Sequence, residues 1–197
     1  MTYHYDFTRD SGWRNDFSNT YSIAFGKRRE DFIQEDDCIR NAPIEGTEYF
    51  EYISNAHKKC FKRGARAKLV CSFESYGAPL ITLANSIGTD ENGYPLYGDH
   101  YEIVAYEEGC NVWFITKAPE GSGKSFDGKG LLRLRFPIAG GEKIELSITT
   151  GVREECITVE LCGQSFDLPV PNLAENFYIG FTACEGVNRL YSATIEE

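Results

Sequence analysis

Arg66-Ala67-Lys68-Leu69-Val70-Cys71-Ser72-Phe73 sets Ala67, Leu69, Cys71 and Phe73 at every second position, with Arg66, Lys68, Val70 and Ser72 between them. Successive side chains leave a β-strand on opposite faces, so a period of two is the signature of a strand with one face buried; a helix would repeat near 3.6. Working outward, Tyr3, Tyr5 and Phe7 alternate with Thr2, His4 and Asp6, and Leu132, Leu134 and Phe136 alternate with Arg133 and Arg135. Residues 144–149, 156–161, 177–184 and 190–195 read the same way. Turn formers punctuate these runs at Asp90-Glu91-Asn92-Gly93, Glu107-Glu108-Gly109, Gly140-Gly141 and Cys162-Gly163-Gln164. Strands at this spacing predict an all-β chain, a two-sheet antiparallel β-sandwich. The one helical expectation falls on residues 31–38, and residues 118–130, rich in Gly, Ser and Lys, read as a long loop of the kind that carries function.

With 197 residues, 42% of them hydrophobic, the chain suits a single domain over 1–197 that fills a continuous core without staples. A formal charge of -10 opposes binding to phosphate backbones and anionic bilayers, so neither nucleic acid nor membrane is expected as a partner. No stretch approaches the roughly 20 apolar residues of a membrane span, and the first ten residues do not read as a signal peptide. A cytoplasmic setting is expected, with export left open if a leader has been removed. The seven cysteines, Cys38, Cys60, Cys71, Cys110, Cys156, Cys162 and Cys184, have no CxxC pair and no regular spacing. They are expected as small hydrophobes in a reducing compartment, not as a disulfide framework, zinc site or other metal centre.

Three segments together resemble the concanavalin A-like lectin and glucanase superfamily. These are Phe177-Tyr178-Ile179-Gly180-Phe181-Thr182-Ala183-Cys184-Glu185-Gly186 with Leu190-Tyr191-Ser192-Ala193-Thr194-Ile195, the hairpin Thr158-Val159-Glu160-Leu161-Cys162-Gly163-Gln164-Ser165-Phe166, and Tyr97-Gly98-Asp99-His100-Tyr101-Glu102-Ile103-Val104-Ala105-Tyr106 followed by Gly109 and Asn111-Val112-Trp113. The resemblance implies a jelly roll of two curved sheets with a glycan groove on the concave one. It also implies a partner class, oligosaccharide or polysaccharide, and admits a structural calcium ion assembled from distant loops, with no other cofactor.

In the strand near residues 99–107, Tyr101, Ile103 and Ala105 form the apolar side, which sends His100, Glu102, Val104 and Tyr106 the other way. In the next, Cys110, Val112, Phe114 and Thr116 read as core, leaving Asn111, Trp113 and Ile115 on the face shared with Glu102. Aromatic rings stack on the apolar faces of pyranoses, while carboxylate, amide and imidazole groups bond the hydroxyls, so the expected glycan-binding set is His100, Glu102, Tyr106, Asn111 and Trp113. Glu74, Lys68, Tyr76, Arg133 and Arg135 join it only if their strands lie in the same sheet. The alternative is that a loop covers Trp113 while His100 and Glu102 satisfy local hydrogen bonds.

The glucanases of the superfamily carry E-x-D-x-x-E or E-x-D-x-E on one strand, and that motif is absent; Glu102 and Glu107 are five apart and face opposite ways. Non-catalytic binding is therefore the first expectation. A glycoside hydrolase or polysaccharide lyase using Glu102 or His100 for proton transfer is the second, and a protein-interaction sandwich is the third. Gly121-Ser122-Gly123-Lys124-Ser125 imitates the end of a phosphate loop but has Ala118 where its first glycine belongs. Glu35-Asp36-Asp37 lacks the regular oxygen spacing of a calcium loop, and His57, beside Lys58 and Lys59, is expected at the surface.

Overall fold

A computed structural model of the chain describes residues 1–24, 31–42, 44, 52–151 and 155–197. Two antiparallel sheets face each other across one core. The first runs β13 (Phe126–Arg135), β12 (Gly109–Lys117), β11 (His100–Tyr106), β8 (Ala78–Ala84), β17 (Asn176–Cys184), β5 (Ile53–His57) and β2 (Phe17–Asn19), with β6 (Phe61–Lys62) also on β17. The second runs β16 (Gln164–Pro169), β15 (Cys156–Leu161), β14 (Ile144–Thr150), β7 (Arg66–Glu74), β18 (Val187–Glu196), β4 (Ile39–Arg40) and β3 (Ile33–Gln34), with β1 (Thr2–Asp6) also on β18. A separate hairpin, β9 (Ile87–Thr89) with β10 (Pro95–Tyr97), completes the strands among the described residues.

Alternation decides which side chains meet between the sheets. Ala67, Leu69, Cys71 and Phe73 of β7, Tyr101, Ile103 and Ala105 of β11, and Phe177, Ile179, Phe181 and Ala183 of β17 all enter the common core. Pairing of β18 with both β1 and β7 brings the two chain ends together, Thr2 opposite Glu196. The far side of the first sheet is covered as well: Ala56, Ala84 and Tyr97 form one small apolar cluster there, and Tyr52, Ala78, Leu80, Val104 and Cys184 form another. All seven cysteines are free thiols; Cys38, Cys71, Cys110 and Cys184 are buried, whereas Cys60 and Cys162 are exposed.

Three expectations are corrected. Residues 31–38 form no helix, because Ile33 and Gln34 pair with Ile39 and Arg40 around a tight turn. The Gln34 amide donates to the carbonyls of Phe7, Glu35 and Cys38 at 2.7–3.0 Å, which fixes that turn against the sheet. Tertiary pairing here overrides local helix preference. His57 is buried, not at the surface: it ends β5 with its ring edge-on to Tyr3, Phe17 and Phe61 at 5.0–5.6 Å between centroids. The loop beginning at Ala118 ends by Phe126, since residues 126–130 already pair with β12. Gly128 and Gly130 lie in that strand because the Ile115 and Trp113 side chains lie directly over them, within 3.4 Å and 3.3 Å of where a Cβ would sit.

Candidate functional site

The far face of the first sheet carries a row of polar side chains. Register places Trp113 opposite Glu102, Glu102 opposite Thr82, and Thr82 opposite Gly180, so all point the same way. Two of the clefts on this face meet at Glu102 and Trp113. One, of 680 Å³, lies between Trp113, Ile115 and the segment from Gly123 to Gly128, with Glu102 and Ala24 at its sides. The other, of 330 Å³, runs from Trp113 and Asn111 past Val104, Leu80 and Tyr106 toward Tyr76 and Glu185. Glu102 and Trp113 line both.

Glu102 is 3% exposed, and a buried carboxylate is costly unless its oxygens are bonded. The Tyr52 hydroxyl donates to Oε1 at 2.8 Å. Burial and the adjacent carboxylate push the Tyr52 phenol well above its ordinary range, so it remains a donor. No hydrogen bond from the described residues reaches Oε2. Trp113 is 40% exposed, its six-membered ring resting over Gly130. The carboxylate thus forms a floor and the indole a ridge between the clefts.

Behind Glu102 the row continues as a buried hydroxyl chain. Ser54 Oγ lies 2.7 Å from the Tyr97 hydroxyl and 2.6 Å from Thr182 Oγ1, which in turn lies 3.2 Å from Thr82 Oγ1. Burial raises the Tyr97 phenol well above its usual value. Tyr97 comes down over Gly180 so closely that a Cβ there would fall under 3.0 Å from its hydroxyl. The resemblance quoted Gly180 as part of a motif; its physical role is this approach.

Of the expected set, Glu102, Tyr106, Asn111 and Trp113 come together around the clefts. His100 does not join them: it is 0% exposed, with Nδ1 donating to the Gly98 carbonyl at 2.7 Å and Nε2 at 3.0 Å from Ser22 Oγ. A carbonyl only accepts, so Nδ1 carries a proton, and in the neutral ring Nε2 accepts a hydrogen bond donated by the Ser22 hydroxyl. Its Nε2 is 3.5 Å from Glu102 Oε1, a supporting position behind the carboxylate.

Arg133 and Arg135 do lie in this sheet. Arg133 donates to the Tyr106 hydroxyl at 3.3 Å and to Glu108 at 3.0 Å, at the margin of Asn111 and Trp113, while Arg135 is exposed opposite Gly109. Glu74 and Lys68 belong to β7 in the opposite sheet, where they pair with Arg189 at 3.1 Å and Glu145 at 3.0 Å; alternation names a face but not a sheet. Tyr76, on the corner after β7, reaches the smaller cleft all the same. Tyr52 and Ser22, which hold Glu102 and His100, carry no sequence signal because both come from distant segments. No group of three or more His, Cys, Asp or Glu side chains able to hold a metal occurs among the described residues.

No protein-family model and no curated protein matches the chain. Solved structures do. The β-agarase A of Zobellia galactanivorans superposes with a TM-score of 0.64 at 7% identity, over 98% of this chain and 92% of that one. A mixed-linkage-glucan GH16 protein of Bacteroides ovatus, solved with a G4G4G3G product, gives 0.59 at 12% identity over 98% of each. A protein of Mycobacterium tuberculosis described as a pseudo β-1,3-glucanase gives 0.56 at 10% identity, covering 98% of this chain and 97% of the other. At such identities the likeness is one of fold, and the fold of this chain is the concanavalin A-like jelly roll.

Proposed function

We propose that the chain is a glycan-binding domain that holds an oligosaccharide or polysaccharide across the Trp113 ridge without cleaving it. The observation that carries this is the pairing, in two adjoining clefts, of one exposed indole with one buried carboxylate whose Oε2 takes no hydrogen bond from the described residues. A sugar supplies the two missing complements, an apolar C–H face for the ring and hydroxyl donors for the carboxylate. The neighbours in fold include proteins named for agarose or glucan chemistry and one named a pseudo-glucanase, which supports a glycan as the occupant.

Binding is favoured over hydrolysis by the register. Retaining cleavage needs a second carboxylate about 5–5.5 Å from the first. The neighbouring strand positions on Glu102's face are Thr82, Leu80 and Ala84 in β8, and Asn111, Trp113 and Ile115 in β12, none of them acidic; the other acids lining the clefts, Asp127, Glu107 and Glu185, lie outside these positions. The lyase alternative is less well supported at His100, whose two nitrogens are both engaged inside the protein.

A glycan array followed by calorimetry tests the reading. Saturable binding is expected, weakened at least about tenfold by Trp113→Ala and by Glu102→Gln, with no new reducing ends after prolonged incubation. Release of product by wild type that disappears in Glu102→Gln would replace binding by hydrolysis.

A further inference from the structure

We infer that the smaller cleft is a second sugar subsite, with Tyr76 as its platform, and that it admits neutral or amino sugars while rejecting uronates and sulfated units. This rests on the glycan reading above and deepens it to a substrate class.

The far wall of that cleft is built at conformational expense. Ser75 and Tyr76, in the corner between β7 and β8, have φ of 51° and 66°, and Glu185, in the corner between β17 and β18, has φ of 53°. Side chains are disfavoured in this left-handed region, and such residues persist only where the surroundings over-determine them. Here the two corners press backbone on backbone: a Cβ on Gly186 would come within 3.0 Å of Ser75 O, Gly77 N and Glu74 O. Two buried asparagines clamp the second corner. Asn188 Nδ2 donates to the carbonyls of Cys184 and Glu185 at 2.9 Å, and Asn41 Nδ2 donates to those of Glu185 and Gly186 at 3.1 and 2.9 Å. Asn41 Oδ1 accepts from the Asn188 N–H at 2.9 Å, joining the two. The outcome is a fixed backbone that presents Tyr76, 75% exposed, at the rim.

Between Tyr76 and Trp113 the floor is Leu80 and Val104, so two aromatic rings flank an apolar strip. Asn111 Oδ1 beside it is buried and has no hydrogen-bond partner among the described residues, an acceptor awaiting a donor. The charged side chains lining this cleft are Glu102, Glu107 and Glu185; Arg133, which reaches the Tyr106 hydroxyl at its margin at 3.3 Å, is paired with Glu108 at 3.0 Å. A ligand here must bring O–H or N–H donors, which hydroxyls and ammonium groups supply. A carboxylate or sulfate would meet like charge at short range, where the interaction is strongly repulsive.

The test is calorimetry of wild type, Tyr76→Ala, Glu185→Gln and Trp113→Ala against dimers and hexamers of cellulose, laminarin, xylan, chitosan and polygalacturonate, at one salt concentration. Thermal melts serve as a folding control, since Tyr76 is exposed. The expectation is binding of a neutral or chitosan hexamer and not of polygalacturonate. Tyr76→Ala should weaken the hexamer about tenfold, from the loss of a covered ring face, and leave the dimer unchanged. Equal binding of polygalacturonate, or hexamer affinity unmoved by Tyr76→Ala while Trp113→Ala still abolishes it, overturns this inference and leaves the glycan reading standing. Wild type that binds none of the probes overturns both.

Discussion

Replacing Gly180 by alanine is the sharpest mechanical test of how the site is floored. The new methyl would sit under 3.0 Å from the Tyr97 hydroxyl, 3.1 Å from its Cζ and 3.4 Å from Thr82 Cβ. Tyr97 has nowhere to retreat: it is buried, its hydroxyl is held by Ser54 at 2.7 Å, and its ring lies 5.3 Å from that of His100. Lifting it costs about 1–3 kcal/mol for the broken buried hydrogen bond and about 1–3 kcal/mol for overpacking. The total, about 2–6 kcal/mol, corresponds to a fall in Tm of about 4–24 °C for a domain of this size. Scanning calorimetry reads this directly. Because the hydroxyl is the atom in conflict, adding Tyr97→Phe to Gly180→Ala should recover much of the loss, although Tyr97→Phe alone destabilises. A Gly180→Ala melt within about 1 °C of wild type, or a double variant worse than the sum of the singles, would refute the close approach.

Removing the Tyr52 hydroxyl as Tyr52→Phe takes the donor from Glu102 Oε1 and should cost about 1–3 kcal/mol. The double variant with Glu102→Gln should lose less than the two singles combined, as a urea-denaturation cycle would show. Stability should also fall on acidification through His57. Burial lowers its folded-state pKa below the ordinary value near 6.5, so its stabilising contribution is complete above that value and is lost as pH drops through the depressed one. The cause is visible in the bonds: Nδ1 accepts the Lys59 N–H at 3.0 Å and Nε2 lies 2.7 Å from the Tyr5 hydroxyl, an arrangement only the neutral ring satisfies. Denaturation between pH 7.5 and 5.5 should show a slope of up to about 1.4 kcal/mol per pH unit from this group, and His57→Gln should flatten it; an unchanged slope would contradict the assignment.

The sequence pattern made one face of β11 and β12 legible, because a period of two needs only neighbouring residues to be read. Glu102, Asn111, Trp113 and Tyr106 share that face, as the alternation implies. Facts about which distant segment covers a strand were not legible. His100 shares the face with Glu102, yet Ser22 and Gly98 close around it, and nothing local to His100 encodes that. Glu74 and Lys68 alternate correctly in β7 but lie in the other sheet, since partner choice depends on long-range pairing. The glycine pair Gly128 and Gly130 read as loop composition because a glycine in a strand is informative only once the ring above it is known. Left-handed Ser75, Tyr76 and Glu185 are hidden for a similar reason: only the packing of two corners and two asparagines holds such residues there.

The most direct measurement of the central claim uses the two tryptophans of the chain, Trp13 buried in the core and Trp113 at the ridge. In a ¹⁵N-labelled sample their indole N–H groups give two separate cross-peaks. Titration with a glycan that binds should move the Trp113 indole peak to saturation and leave the Trp13 peak where it was. Saturable binding that leaves the Trp113 peak still, or shifts confined to residues of the opposite sheet, would contradict glycan recognition on this face.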